Sequence, residues 1–172
     1  MPCKFISYTP STVKSNKRSF VNAVEFHTDA KRAQREQALL NQAMSYAING
    51  STKLYAIKDS SSKLNGILGF IALSASEVMI DDYKKPIVLI DYLFVSNQYR
   101  SKVYEHLDNS KVSTLLIEYA IAKSYEVKEL LGVSYLVLYP DGGKENPQLV
   151  NFYKSIGFKF ITNKHEWMYI KL

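Results

Sequence analysis

The apolar positions of this chain keep helical time in some stretches and strand time in others. Leu40, Ala43, Met44, Ala47 and Ile48 recur at three- and four-residue steps, with Lys31, Arg32, Arg35 and Glu36 in the turns before them, so they share one face of a helix that Asn49-Gly50 should end. An earlier helix is expected over residues 17–25, with Phe20, Val21 and Val24 on one face and Asn16 as its cap. Residues 52–58 and 66–74 are rich in β-branched, aromatic and aliphatic side chains, as paired antiparallel strands should be. The serine-rich stretch 59–63 between them reads as a hairpin loop, and residues 4–8 as a short preceding strand.

From residue 87 the chain alternates strand, helix, strand, helix, strand. Residues 87–95 are an apolar strand interrupted by Asp91; Val112, Leu115, Leu116, Tyr119, Ala120 and Val127 form a helical stripe; residues 133–139 read as a buried strand. Asp141-Gly142-Gly143 supplies a turn. Asn146-Pro147 then gives a short helix its cap and first residue, and Gly157 suits the left-handed position past its end. Residues 158–161 and 166–172 finish the sheet. The expected architecture is α/β (α+β): one domain over residues 1–172, a central mixed twisted sheet of six or seven strands with flanking helices.

With 172 residues, 47% of them apolar, the chain can bury a sizeable core. Lys and Arg exceed Asp and Glu by 22 to 16, a net +6 that suits an anionic ligand without naming one. Thirteen Tyr and eight Phe fall mostly inside the strand and helix patterns, where packing is their default role. The single cysteine, Cys3, excludes an internal disulfide, and no Cys/His cluster has metal-ligand spacing. No apolar run reaches membrane-span length, and Met1-Pro2-Cys3-Lys4-Phe5 does not open like a secretory signal, so a cytoplasmic protein is expected. His27, His106 and His165 have no partner at motif spacing and read as surface residues.

Ligands of open α/β sheets bind beyond the carboxyl ends of strands, here the exits after Val95 and Tyr139. Both lead into helices, whose N-termini offer free N–H groups and partial positive charge to a phosphate. At the first exit, Leu93-Phe94-Val95, then Gln98-Tyr99-Arg100-Ser101-Lys102, then Val112-Ser113-Thr114-Leu115-Leu116 resemble the strand, pyrophosphate loop and helix of the GNAT acetyltransferase superfamily. Downstream, Asn146, Phe152, Tyr153, Gly157 and Phe158 match its second signature, an Asn followed seven residues later by Tyr and then by Gly-Phe. The resemblance covers roughly residues 52–172.

It implies the GNAT fold and direct transfer of an acetyl group from acetyl-CoA, the co-substrate, to a primary amine. The backbone of Leu93, Phe94 and Val95 would bind the pantetheine arm as an added strand, and an N–H near Phe94 or Val95 would stabilise the tetrahedral oxyanion. Tyr153 would protonate the leaving thiolate. Its plain alternative is packing, on a face shared with Phe152 and Ile156. Phe152 belongs to the same cofactor-facing signature, and Asn146 caps its helix, touches pantetheine, or does both.

The phosphate loop departs from the family. Its closely spaced glycines are missing, Arg100-Ser101-Lys102 stands where Arg-Gly-Lys is common, and residues 103–110 resemble an insertion. Either Arg100, Ser101, Lys102 and Lys111 hold phosphate, with the amides of Lys111, Val112, Ser113 and Thr114 aimed at it, or the stretch is a solvated excursion. The latter fits a non-catalytic GNAT-like binding module. Asp91, a carboxylate in an apolar strand, is the candidate acceptor of the ammonium proton; a strand-edge Asp bonded to backbone is the alternative.

Phe26, a helix through Gln37 and Gln42, and residues 52–57 and 69–74 resemble the toxin branch of the superfamily. That branch acetylates the amino acid on charged transfer RNA. This adds tRNA to the expected partners, beside a homodimer; a basic surface would support it and evenly spread Lys and Arg would oppose it.

Overall fold

In the computed structural model, residues 3–64, 66–162 and 164–172 are described, with backbone alone at 164 and 165, so Met1, Pro2 and the His165 side chain lie outside the described residues. The chain runs β1 (Cys3–Ser7), α1 (Pro10–Asn22), α2 (Ala30–Ile48), β2 (Lys53–Asp59), β3 (Gly69–Ile80), β4 (Tyr83–Val95), β5 (Val103–Tyr104), β6 (Ser110–Lys111), α3 (Val112–Leu131), β7 (Tyr135–Leu138), α4 (Pro147–Ile156), β8 (Lys159–Ile161) and β9 (Lys164–Lys171). Seven strands form a mixed sheet in the order β1-β2-β3-β4-β7-β9-β8, while β5 and β6 pair separately. Two compact units divide the chain, one of residues up to Leu73 with Tyr92–Tyr119, the other of Ser74–Asp91 with Ala120–Leu172.

In the first unit β1, β2 and the start of β3 are antiparallel, with Cys3 opposite Asp59 and Leu54 opposite Ala72. Alternation along β2 sends Leu54 and Ala56 to one face, where Val13 and Phe20 of α1, Leu40 and Met44 of α2, and Phe70, Tyr92 and Phe94 complete an apolar core. Tyr55 points the other way and meets Tyr119 of α3 edge-on, with Phe5 stacked on the same ring.

Helix α1 starts seven residues earlier than its apolar spacing suggests. Thr9 Oγ1 accepts a hydrogen bond from Thr12 N at 3.2 Å and Pro10 occupies the first turn, so the start signal is Thr-Pro. Asn16, expected as the cap, lies inside the helix and donates to Thr12 O. Only Val13 and Phe20 of α1 are buried, too sparse a stripe to mark the helix's beginning. Helix α2 is capped by Asp29, which accepts from Arg32 N at 2.9 Å, and ends at Asn49 with Gly50 at φ 82°, as the sequence indicates.

Strands β3 and β4 exceed their expected lengths. They continue to a hairpin whose central residues, Asp81 and Asp82, have φ 49° and 62°, the mirror-image turn that suits strand twist. In the second unit β4 pairs in parallel with β7, Val88 opposite Leu136, and β9 is antiparallel to both β7 and β8. Val78, Ile80, Ile87, Val137 and Ile161 form its apolar cluster, flanked by Tyr135, Trp167 and Tyr169. Helix α4 has the expected ends: Asn146 Oδ1 accepts from Leu149 N, and Gly157 at φ 111° lets Phe158 N reach Tyr153 O at 3.1 Å.

Candidate functional site

In the first unit, the end of β4 is fixed by close backbone contact. A side chain at Gly69 would put its Cβ 2.3 Å from the Phe94 carbonyl oxygen, so only glycine lets β3 approach here. Phe94 and Val95 are buried, Leu93 half-buried. Beyond them Ser96 N donates to Leu68 O, Asn97 N donates to Glu25 O, and Ser96 Oγ accepts from Glu25 N, which ties the strand's exit to two other segments.

Arg100 is not free to meet a phosphate. Its Nη1 and Nη2 donate to the two carboxylate oxygens of Glu36 at 2.8 and 2.9 Å, its Nε donates to Val95 O at 2.9 Å, and the guanidinium lies over the Phe94 ring. Burial pushes the Glu36 carboxyl up, but the hydrogen bonds from Arg100 and the His27 amide outweigh it and hold it below its ordinary value. The half-buried pair is a brace between α2 and the loop. Ser101 has φ 58°, the left-handed backbone that the family's glycine would adopt without strain. Lys102 and Lys111 are exposed.

Residues 103–111 form a built structure, not a solvated excursion. Val103 pairs with Lys111 and Tyr104 with Ser110, a one-turn helix Glu105–Leu107 closes the hairpin, and Leu107 has no exposed surface. His106, expected at the surface, has a side chain only 20% exposed with Nε2 3.3 Å from Asp59 Oδ2. At the start of α3, Val112 is buried while Ser113 and Thr114 are half-exposed.

In the second unit, Asp91 is exposed; crowding of its carboxyl raises its pKa, against a hydrogen bond from Ser74 that lowers it. It is therefore a solvent-facing carboxylate paired with Ser74, the wet case for a charge in an apolar strand. Tyr153 is buried between Phe152 and Phe158, and burial, helped by Asp141, pushes its pKa up to about 12, so the phenol keeps its proton at neutral pH. Asn146 caps α4 with Oδ1 and donates from Nδ2 to Asp141 O at 3.2 Å. Phe152 is half-buried.

Sequence reasoning missed Glu36, Asp59, Gly69 and Glu166. Glu36 shows only its local Arg32 partner at helical spacing, and the link to Arg100 spans 64 residues. Glu166 accepts from the Tyr139 hydroxyl at 3.1 Å, an interaction between strand ends that raises the Tyr139 pKa. Among residues of the toxin-like resemblance, Phe26 packs against Phe94 and Gln42 donates to the Tyr46 hydroxyl. Between α1 and α2, a shallow groove of about 550 Å³ is lined by Lys14, Lys17 and Arg18 with Gln37 and Asn41.

No protein-family model matches the chain, and no curated protein matches it. Solved structures do. A Tyr-to-Phe mutant of the toxin AtaT, bound to the C-terminus of the antitoxin AtaR and acetyl-CoA, aligns over 98% of this chain and 92% of its own at 13% identity, with a TM-score of 0.68. AtaT complexed with acetyl-methionyl-tRNAfMet aligns over 98% and 94% at 14% identity, TM-score 0.66. A Tyr-to-Phe mutant of KacT aligns over 99% and 95% at 11% identity, TM-score 0.68. The chain therefore has the GNAT fold in the form these toxins share, over nearly its whole length.

Proposed function

We propose that the protein is an acetyl-CoA-dependent N-acetyltransferase whose acceptor is the amino group of an aminoacyl-tRNA. The observation that carries this reading is the likeness over 98% of the chain to a structure holding acetyl-CoA. The amine nitrogen attacks the thioester carbonyl carbon, a backbone N–H near Phe94 or Val95 stabilises the oxyanion, and the C–S bond breaks as the intermediate collapses. Tyr153 gives its proton to the thiolate and the ammonium proton passes to Asp91, whose raised pKa favours that acceptance. The buried phenol remains protonated until it is needed.

Lys102 and Lys111 supply the charge for the cofactor's phosphates, with Ser101 and the amides of Val112, Ser113 and Thr114 as hydrogen-bonding partners. Arg100 serves by bracing the loop on Glu36. Leu93 and Val95 keep their packing roles while the main chain binds pantetheine; Asn146 and Phe152 are the further cofactor-binding residues of this reading. The RNA acceptor is favoured by the groove that gathers three cations of α1, a helix without a single acidic residue.

Calorimetric titration with acetyl-CoA is the deciding experiment. Micromolar binding supports the enzyme and opens a screen of aminoacyl-tRNAs; no binding up to millimolar ligand returns the chain to a non-catalytic module.

A further inference from the structure

The hairpin of residues 103–111 follows directly on the glycine-free loop of residues 100–102, and its construction shows how that loop is held. The β5–β6 rung sets Lys111 across from Val103, so Lys102, next along the chain, and Lys111, which leads into α3, leave the same end of the ladder. The other end is docked. Leu107 is completely buried, Tyr104 packs edge-on against Tyr99 and His106, and His106 Nε2 approaches Asp59 Oδ2 at the end of β2.

The Asp59 side chain is wholly buried, and it is held as an anion. Its Oδ1 accepts from the amide and hydroxyl of Ser61, and its Oδ2 accepts from Leu64 N and the same hydroxyl. His106 Nε2 lies at 3.3 Å, within ion-pair reach, but it is buried and has no aligned hydrogen bond among the described residues. The contact is therefore an electrostatic one rather than a directed hydrogen bond. The other titratable groups felt in this corner are Cys3, Tyr99 and Asp108, which act through Asp59 or beside it, and the Tyr104 ring on the imidazole. The Cys3 thiol is pushed up to about 11, chiefly by burial and next by Asp59, and stays neutral.

We infer that His106 and Asp59 form a latch that docks this hairpin and thereby positions Lys102 and Lys111 on the cofactor's phosphates. Both latch residues are positioning residues; neither touches the ligand. Glycine-rich loops hold a pyrophosphate by close backbone approach, whereas two lysines on flexible stems need their base immobilised to do so. The inference rests on the acetyl-CoA reading above.

Its test uses the full chain, with His106→Gln and Asp59→Asn beside the wild type. Two quantities are measured: the acetyl-CoA dissociation constant by calorimetry, and amide hydrogen exchange over residues 103–111 without ligand. Both variants should exchange faster there than the wild type, with exchange in β8 and β9 unchanged. His106→Gln should raise the dissociation constant about tenfold, the size of effect supporting residues have at other sites.

A merely space-filling histidine, replaced by a glutamine of similar size, would move neither quantity. Unchanged binding and exchange in His106→Gln overturns the latch while leaving the acetyl-CoA reading intact; absence of wild-type binding overturns the reading and the latch's role together. If Asp59→Asn does not fold, His106→Gln decides alone, since its partly exposed side chain tolerates the amide.

Discussion

Ser101 pays for its position in backbone strain, because a left-handed conformation costs a residue with a Cβ roughly 1–2 kcal/mol. Ser101→Gly should therefore stabilise the protein by about 0.5–1 kcal/mol, after glycine's extra unfolded-state freedom is subtracted, as an upward shift of the urea midpoint at constant slope. A midpoint that falls would mean the serine side chain makes a contact worth more than the strain. Tyr153 tests the chemistry. Tyr153→Phe keeps the ring that packs against Phe152 and Phe158 and removes only the hydroxyl. Acetyl-CoA affinity should hold while single-turnover acetylation slows on the order of 100-fold, the usual scale for general acid catalysis. An equal rate in the variant would leave Tyr153 a packing residue, as its helix periodicity alone suggests.

Among the elements, β3 and β4 show best what a sequence discloses and what it hides. Their apolar runs are plain, but the exposed residues 75–77 of β3 and the unusual Asp81-Asp82 turn conceal the hairpin between them. Gly69 carries no periodic signal at all; its reason is the Phe94 carbonyl 25 residues away. Gly69→Ala should destabilise the fold by about 1–3 kcal/mol, since backbone rather than a pliable side chain stands in the way, and the loss would appear as a lowered melting temperature. A melt within a degree of the wild type, about 0.4 kcal/mol, would show that the strands can part at little cost. Helix ends followed local rules: Asn49-Gly50 after α2 and Asn146 and Gly157 on α4 were legible, whereas the Asp29 cap of α2 was not read from the sequence. The Thr9-Pro10 start is equally local, but the apolar stripe of α1, buried only at Val13 and Phe20, is too sparse to point to it. The candidate site divided along the same line: motif residues such as Tyr153 and Asn146 were visible, while the partners of Arg100 and His106 come from distant segments and needed coordinates.

At the scale of the whole molecule, charge governs both stability and binding. Asp59 would be raised by burial, but the Ser61 and Leu64 hydrogen bonds and His106 lower it from 3.8 to about 2, and Glu36 is also lowered. Carboxyls depressed in the folded state add stability that is complete above their unfolded pKa and lost as pH falls through the folded one. Acid unfolding should therefore steepen below about pH 4, and Asp59→Asn should flatten that limb, read from urea midpoints taken at each pH. The net charge of +6 acts at longer range, and its placement matters more than its size. Lys17 and Arg18 project from a helix without acids into the α1–α2 groove, where each can neutralise one phosphate of an RNA backbone. Each such contact releases condensed counterions, so binding weakens with salt in proportion to the number of phosphates met. Lys17→Glu with Arg18→Glu should lower tRNA affinity at least tenfold near 0.1 M salt and make the slope of log affinity against log salt shallower by about two, in fluorescence anisotropy with one labelled tRNA. Weaker binding with an unchanged slope would point to a disturbed helix rather than lost phosphate contacts. Unchanged affinity and slope would remove the groove from RNA binding, and with it the charge argument for an RNA acceptor.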